Sequence, residues 1–508
     1  MTNRRDFFKK TGAGLLVSVV PAGLLKADIK EPHPSGSLVR SAQQLPVRTA
    51  TPYNWQPETA NRPIGIAKGI FPGRVAWAHA PGAAHWNGDW KSMDSPWWLD
   101  ENTDPQRVTA MVAEVIRKVS GKEKFDQAWK AIFEYHNQSV GRGKRNYRSD
   151  EIVAIKINMN ATGRAERNNN YTDVAPQTVY AVVEQLVKFA GVPEDKILIY
   201  DAKRPIYIAL THKVWKDFKD VRFLQERQLI DAQKHPVYGD HRRIELPEWV
   251  KGMAYSNGID YPNATQIPRQ VKEAIYLINL GMLKCHSYPY SNMEGGDEGQ
   301  TAVTLMGKNH FGSILGPADL HAAINTSRDA KPKVYSPLVD LAAAPTLGKK
   351  TILFMLDGLY SARKHSSYAV HFPNAPFLNA IYPYANPEWP SSILASLDGV
   401  ALDSVGIDIL FSQTKNNLDI ENNNRPSLLI RENADDYLHE MATPEKPPSG
   451  TKYLQDGKPV TSLGVHEHWD SDDTRRYSRN LSKKGKGIEL IYTQMIEKRS
   501  SLSRSGSN

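Results

Sequence analysis

Two clusters of side chains that can bind or react, Lys284-Cys285-His286 and Lys308-Asn309-His310, lie within one stretch of the chain. In each, a lysine can hold or polarise an oxyanion and an imidazole can move protons; the second cluster adds an amide. The apolar run from Ala274 to Leu280, closed by Gly281, reads as a buried parallel strand leading into the first cluster. Open α/β sheets bind ligands outside the carboxyl ends of their strands, so both clusters are expected to face one cleft. Gly295, Gly296, Gly299, Gly307 and Gly312 permit close backbone approach there. A plainer reading stays open, with Lys284 and Lys308 as solvated lysines and His286 and His310 as hydrogen-bonded loop histidines.

Other strand ends carry similar groups. Glu151 to Asn160 is the clearest strand of the first half and runs into Lys156 and Asn158. A helix opened by Pro176 and followed by Gly191 leads to the strand Lys196 to Tyr200, beyond which stand Asp201, Lys203 and Arg204. Lys350 to Leu356 is an apolar strand ending in Asp357-Gly358, and Asp398 and Asp403 flank the start of a helix near Val400. Asp398 reads as a helix cap. Asp403, in an otherwise apolar helix, needs a partner, and a lysine is expected.

At these positions the chain resembles the domain of unknown function 362. The resemblance rests on Lys284-Cys-His286 after an apolar strand, Thr301 and Thr304, and Lys308-Asn309-His-Phe311-Gly312, with Lys156-x-Asn158, Asp357-Gly358 and Ser396 to Asp403 in support. It covers roughly residues 151 to 411. Phe189 to Tyr200 also resembles the corresponding unit of nickel-pincer lactate racemases, which implies a cofactor served by lysine and histidine.

Composition sets limits. A hydrophobic fraction of 40% over 508 residues supports a large folded core. The net charge of +9 comes without a basic-aromatic nucleic-acid module and favours anionic small ligands or anionic polymers; no nucleic acid partner is expected. A single cysteine, Cys285, rules out an intramolecular disulfide and an iron–sulfur cluster held by this chain's thiolates alone. No glycine-rich dinucleotide or P-loop pattern is present.

The start of the chain, Asn3-Arg4-Arg5-Asp6-Phe7-Phe8-Lys9 with a short apolar run behind it, matches a twin-arginine export signal over residues 1–27. Periplasmic localisation, the export machinery as a partner and no stable membrane span after signal removal follow as expectations. Residues 28–72 form an extended lead-in, 73–150 an aromatic-rich N-terminal part, 151–412 the α/β core and 413–508 a C-terminal extension. The expected fold is thus α/β, with a mainly parallel central sheet, flanking helices and extensions at both ends. The charged stretch from Val221 to Gly258 reads as a peripheral insertion. Trp86, Trp90, Trp97 and Trp98 crowd one loop, where indoles either stack on sugar rings or plug the loop onto the domain. His466-Glu467-His468 reads as a segment closing onto the core, or as the start of a metal site.

The first functional reading is an exported enzyme acting on a small hydroxylated or anionic, sugar-derived substrate. Lys156, Lys284, His286 and Lys308 are the catalytic candidates. Asn158, Asn309, Trp97, Trp98 and Arg204 are the substrate-binding candidates, and Asp357, Asp403 and His310 the candidate ligands of a metal ion. Two others stay open: a non-catalytic glycan- or metabolite-binding protein, and a structural protein without a ligand.

Overall fold

The computed structural model describes residues 59–160, 169–227, 244–285, 303–321, 335–362, 368–372, 389–414 and 436–495. Nine strands make one central sheet: β1 (Arg74–His79), β2 (Val153–Ile157), β3 (Ile197–Asp201), β4 (Arg222–Gln225), β5 (Ile244–Glu245), β6 (Tyr276–Met282), β7 (Thr351–Gly358), β8 (Ser392–Ser396) and β9 (Glu489–Gln494). Their spatial order is β9-β1-β8-β7-β6-β2-β3-β4-β5. Every neighbouring pair is parallel except the two that involve β8, so eight strands point one way. The expected mainly parallel α/β sheet is the fold.

Sequence explains why these runs sit centrally. β2, β3 and β6 are buried along their whole length, which a strand covered on both faces requires. Ile155, Ile199 and Ile278 face a layer built on the helices α1 (Pro105–Ser120), α2 (Phe125–Ser139) and α3 (Pro176–Lys188). Leu198, Leu277 and Leu356 face the opposite layer, which holds α6 (Gly399–Thr414). Helix ends follow their residues: Asp104 accepts from Gln106 N and Arg107 N at the start of α1, Pro105 is its first residue, and Gly121 closes it at φ +65°.

The chain runs outward from β2 through β3, β4 and β5, then returns to β6 on the other side of β2 and continues to β7. The β2/β6 boundary is therefore the point at which the winding reverses. Ligand crevices of open sheets form at such a point.

One expectation changes. The charged stretch after Val221 is not peripheral to the sheet: β4 and β5 belong to it, joined by the Arg222–Glu245 ion pair at 2.5 Å. The flanks outside residues 151–412 also enter the sheet, since β1 and β9 pair in parallel and β1 lies against β8. Residues 1–27 lie outside the described residues. Among the described residues no helix is long and apolar enough to cross a membrane.

Candidate functional site

Lys156 is the fourth residue of β2, on the face opposite Ile155 and Ile157, and is fully buried. Its Nζ lies 3.0 Å from Asp201 Oδ2, at the end of β3, and 3.2 Å from Asn309 Oδ1. Burial pushes the ammonium down from its usual range and the Asp201 carboxyl up, while the attraction between the two opposes both shifts. Asp201 is held by Met159 N and Lys203 N, so the loops after β2 and β3 both clamp it.

Asn309 ends the short helix α5 (Met306–Asn309) and sits over the reversal point. Its Nδ2 lies 3.1 Å from Leu280 O of β6, 2.8 Å from Asn279 Oδ1 and 3.4 Å from Lys156 O of β2. Its Oδ1 also accepts from Asn158 Nδ2 at 3.2 Å. One amide thus ties α5 to the two central strands. Gly312, in the turn that follows, packs directly on the ion pair: a Cβ there would stand 2.6 Å from Lys156 Nζ and 2.7 Å from Asp201 Oδ2.

Outside this network lies a cleft of about 270 Å³ at the carboxyl ends of β2, β3 and β4. Its basic residues are Lys203, Arg204 and Lys308, its acidic ones Asp201 and Glu226. Asn158, Asn160, Asn309 and Thr304 supply neutral polar groups. Lys308 is buried, with Nζ 5.0 Å from the centre of the Phe311 ring.

The structure therefore brings Lys156, Asn158, Arg204, Lys308 and Asn309 to one place. Lys284 is buried as well and donates to Thr172 O at 3.3 Å; it is absent from the cleft wall. Neither Lys284 nor Lys308 is a solvated lysine. Cys285 is buried. His286 lies outside the described residues.

The candidate metal ligands have other duties. Asp357 accepts from Ala175 N at 2.7 Å and from Leu359 N at 3.0 Å, at the entry to α3, and burial pushes its carboxyl up to about 6. Asp403 accepts from Met306 N and Gly307 N, both at 2.9 Å, and from Tyr437 OH at 2.8 Å; burial pushes it up to about 7. The expected lysine partner is replaced by the start of α5 and a tyrosine. His310 lies between Asn279 Nδ2, 3.3 Å from its Nε2, and Ser313 Oγ, 3.4 Å from its Nδ1, and burial holds its pKa down at about 3. No group of three or more His, Cys, Asp or Glu side chains among the described residues is arranged to hold a metal ion.

Trp97 and Trp98 are core residues, packed edge to face at 5.5 Å, and do not present their rings to the cleft. Trp86 stacks on Trp389; Trp90 is the exposed indole of the four, at 44%. The loop is plugged onto the domain. His466 and His468 turn to α6, meeting Ser404 Oγ and Asp408 Oδ1 at 2.8 and 2.7 Å, so that segment closes onto the core.

Several site residues carried weaker signals in the sequence. Asp201 stood visibly at a strand end, but its pairing with Lys156 needs the β2–β3 register. Asn279 is the polar residue inside the apolar run of β6, a pattern that itself demands a buried partner. Glu226 and Asn160 carried no distinguishing pattern.

An α/β protein with an amide- and cation-lined cleft beside its winding reversal is the class these observations define. Comparison with protein families matches residues 153–408 to the Domain of unknown function (DUF362), and the chain belongs to that family. No curated protein matches it.

Proposed function

We propose that the protein is an exported, periplasmic enzyme that performs acid–base chemistry on a small hydroxylated or anionic substrate, sugar acids included. The observation that carries this reading is the cleft at the ends of β2, β3 and β4, whose wall includes Asp201, with Lys156 buried behind it at 3.0 Å. Lys203, Arg204 and Lys308 give the cleft a basic wall suited to a carboxylate or phosphate, and the three asparagines suit hydroxyl groups. Burial presses Lys156 and Asp201 towards their neutral forms, so a proton passes between them at lower cost than in water. His286 is carried as a further proton carrier from the sequence pattern alone. Export rests on Arg4 and Arg5 in the twin-arginine pattern.

The test is a panel of sugar acids and hydroxy acids incubated with the mature protein in deuterium oxide and read by NMR for product or C–H exchange. Turnover of one member is expected, lost in Lys156→Met and retained as binding in that variant. Binding without turnover by the parent protein would replace the enzyme by a metabolite-binding protein. Elemental analysis of protein exported through its own signal reads out any metal, and Arg4→Lys with Arg5→Lys should block processing of the precursor.

A further inference from the structure

A second and larger cleft, about 480 Å³, lies at the opposite ends of the central strands. Thr351 and Ile352 at the start of β7 line it, as do Leu397 and Gly399 just past the end of the antiparallel β8. Lys156 and Asp201, by contrast, stand at the carboxyl ends of their strands. The volume lies within the range of about 300–1,000 Å³ typical of small-molecule sites.

Three features define what would fit. Its wall includes Lys68, Lys349 and Lys458, against Asp456 as its acidic residue. Met306, Phe354, Val400, Met441 and Val460 supply an apolar lining. His136 Nε2 and Thr351 Oγ1 are buried polar atoms on the same wall, and neither has a hydrogen-bond partner among the described residues. Their residues are 5% and 8% exposed. Leaving such atoms without a partner is unfavourable, and a bound polar group would offset it.

Burial, reinforced by the Arg142 charge, holds the His136 pKa down at about 4, so the ring is neutral at pH 7. A neutral imidazole donates or accepts at Nε2 according to its tautomer. The Thr351 hydroxyl does either.

We infer that this cleft binds a small amphiphilic anion, a carboxylate or phosphate monoester on an apolar body, with Lys68, Lys349 and Lys458 serving the head group and His136 and Thr351 giving directional hydrogen bonds. The site is separate from the Lys156–Asp201 cleft and does not depend on the reaction proposed there.

Calorimetric titration of the mature protein with octanoate, octyl phosphate, octanamide and inorganic phosphate tests it. One octyl anion should bind about tenfold or more tightly than octanamide, a gap of about 1.4 kcal/mol. Which anion binds more tightly identifies the head group. Lys68→Ala with Lys458→Ala should remove most of that preference, and Val460→Trp, checked for folding by circular dichroism, should block all octyl ligands. Arg204→Ala, in the other cleft, should leave octyl-anion binding unchanged. Equal binding of octanamide and the anions, binding of inorganic phosphate as tight as theirs, indifference to the lysine substitutions, or no binding by any probe would each overturn the inference.

Discussion

Two sets of buried charge sit at strand and helix ends in this protein, and they are built differently. Lys156 and Asp201 face each other at 3.0 Å beside an open cleft. Asp357, Asp398 and Asp403 instead accept from backbone N–H groups: those of Ala175 and Leu359, of Ala401 with Lys68 and Val465, and of Met306 and Gly307. A buried carboxylate after an apolar run looks the same in sequence in either case. Asp201 accepts from Met159 N and Lys203 N as well, so what separates the two is the further partner at Asp201, a buried ammonium that a substitution can remove.

The largest effects should come from removing one member of each set. Asp403→Ala leaves two amides and the Tyr437 hydroxyl without an acceptor and should cost about 3–5 kcal/mol in urea unfolding. Asp201→Ala leaves the Lys156 ammonium buried alone and should cost a similar amount, about 3–5 kcal/mol. The comparison is decided by the second substitution. Adding Lys156→Met to Asp201→Leu should recover the part of the loss that comes from the uncompensated ammonium, while the Met159 and Lys203 amides stay without their acceptor, as the Met306 and Gly307 amides do in Asp403→Ala. If the double variant stayed as unstable as Asp201→Ala, the pair would be scaffold of the same kind as the caps.

Gly312→Ala probes the pair without altering its charges. The added Cβ would lie 2.6 Å from Lys156 Nζ and 2.7 Å from Asp201 Oδ2, too close for either to remain in place. Overpacking of this kind costs about 1–3 kcal/mol. Ligand capture in the basic cleft should fall by more than stability does, because Gly312 and the displaced Asp201 both line it. A variant that bound normally would mean that the pair's geometry does not serve the cleft.

The caps make a pH prediction with a definite sign. Asp403 is pushed up to about 7 in the folded protein from an ordinary value of 3.8. Between those values the folded state holds a proton that the unfolded chain has released, so this contribution to stability falls as pH rises from about 4 to about 7. Asp398, also pushed up to about 7, acts in the same direction, while His310, held down at about 3, acts in the opposite one. The difference in unfolding free energy between the parent and Asp403→Asn isolates the one group. That difference should move against the parent on going from pH 4 to pH 7; a flat difference would show that the amide donors hold the carboxyl ionised throughout.

Reading the chain by its apolar runs was enough to place β2, β3, β6 and β7, because each is buried on both faces and announces itself by composition. The Asp398 cap was legible from the helix behind it. β4 and β5 were not, since the last two strands at the margin of a sheet can carry Arg222 and Glu245 paired between them and so resemble a charged loop. β9 was illegible for another reason: it pairs with β1 more than 400 residues earlier, and no local pattern encodes a partner at that distance. The cleft divides along the same line. Lys156, Asn158, Lys308 and Asn309 were visible as groups at element ends, but Asp201 becomes a partner only through the β2–β3 register.

The tryptophan loop repeats the comparison at its smallest scale, between an indole that the fold consumes and one that it leaves out. Trp97 is fully buried, with Nε1 donating to Tyr171 O at 3.3 Å, whereas Trp90 is 44% exposed and rests on Tyr368 at 4.3 Å between ring centres. Trp97→Ala should cost about 3–5 kcal/mol. Trp90→Ala, at a half-exposed ring packed on Tyr368, should cost less, about 1 kcal/mol. A sugar-binding surface in this loop would have to use the exposed ring, so glycan binding that survived Trp90→Ala would place the sugar elsewhere. Glycan binding lost with stability intact would give Trp90 the stacking role that the sequence suggested for Trp97 and Trp98.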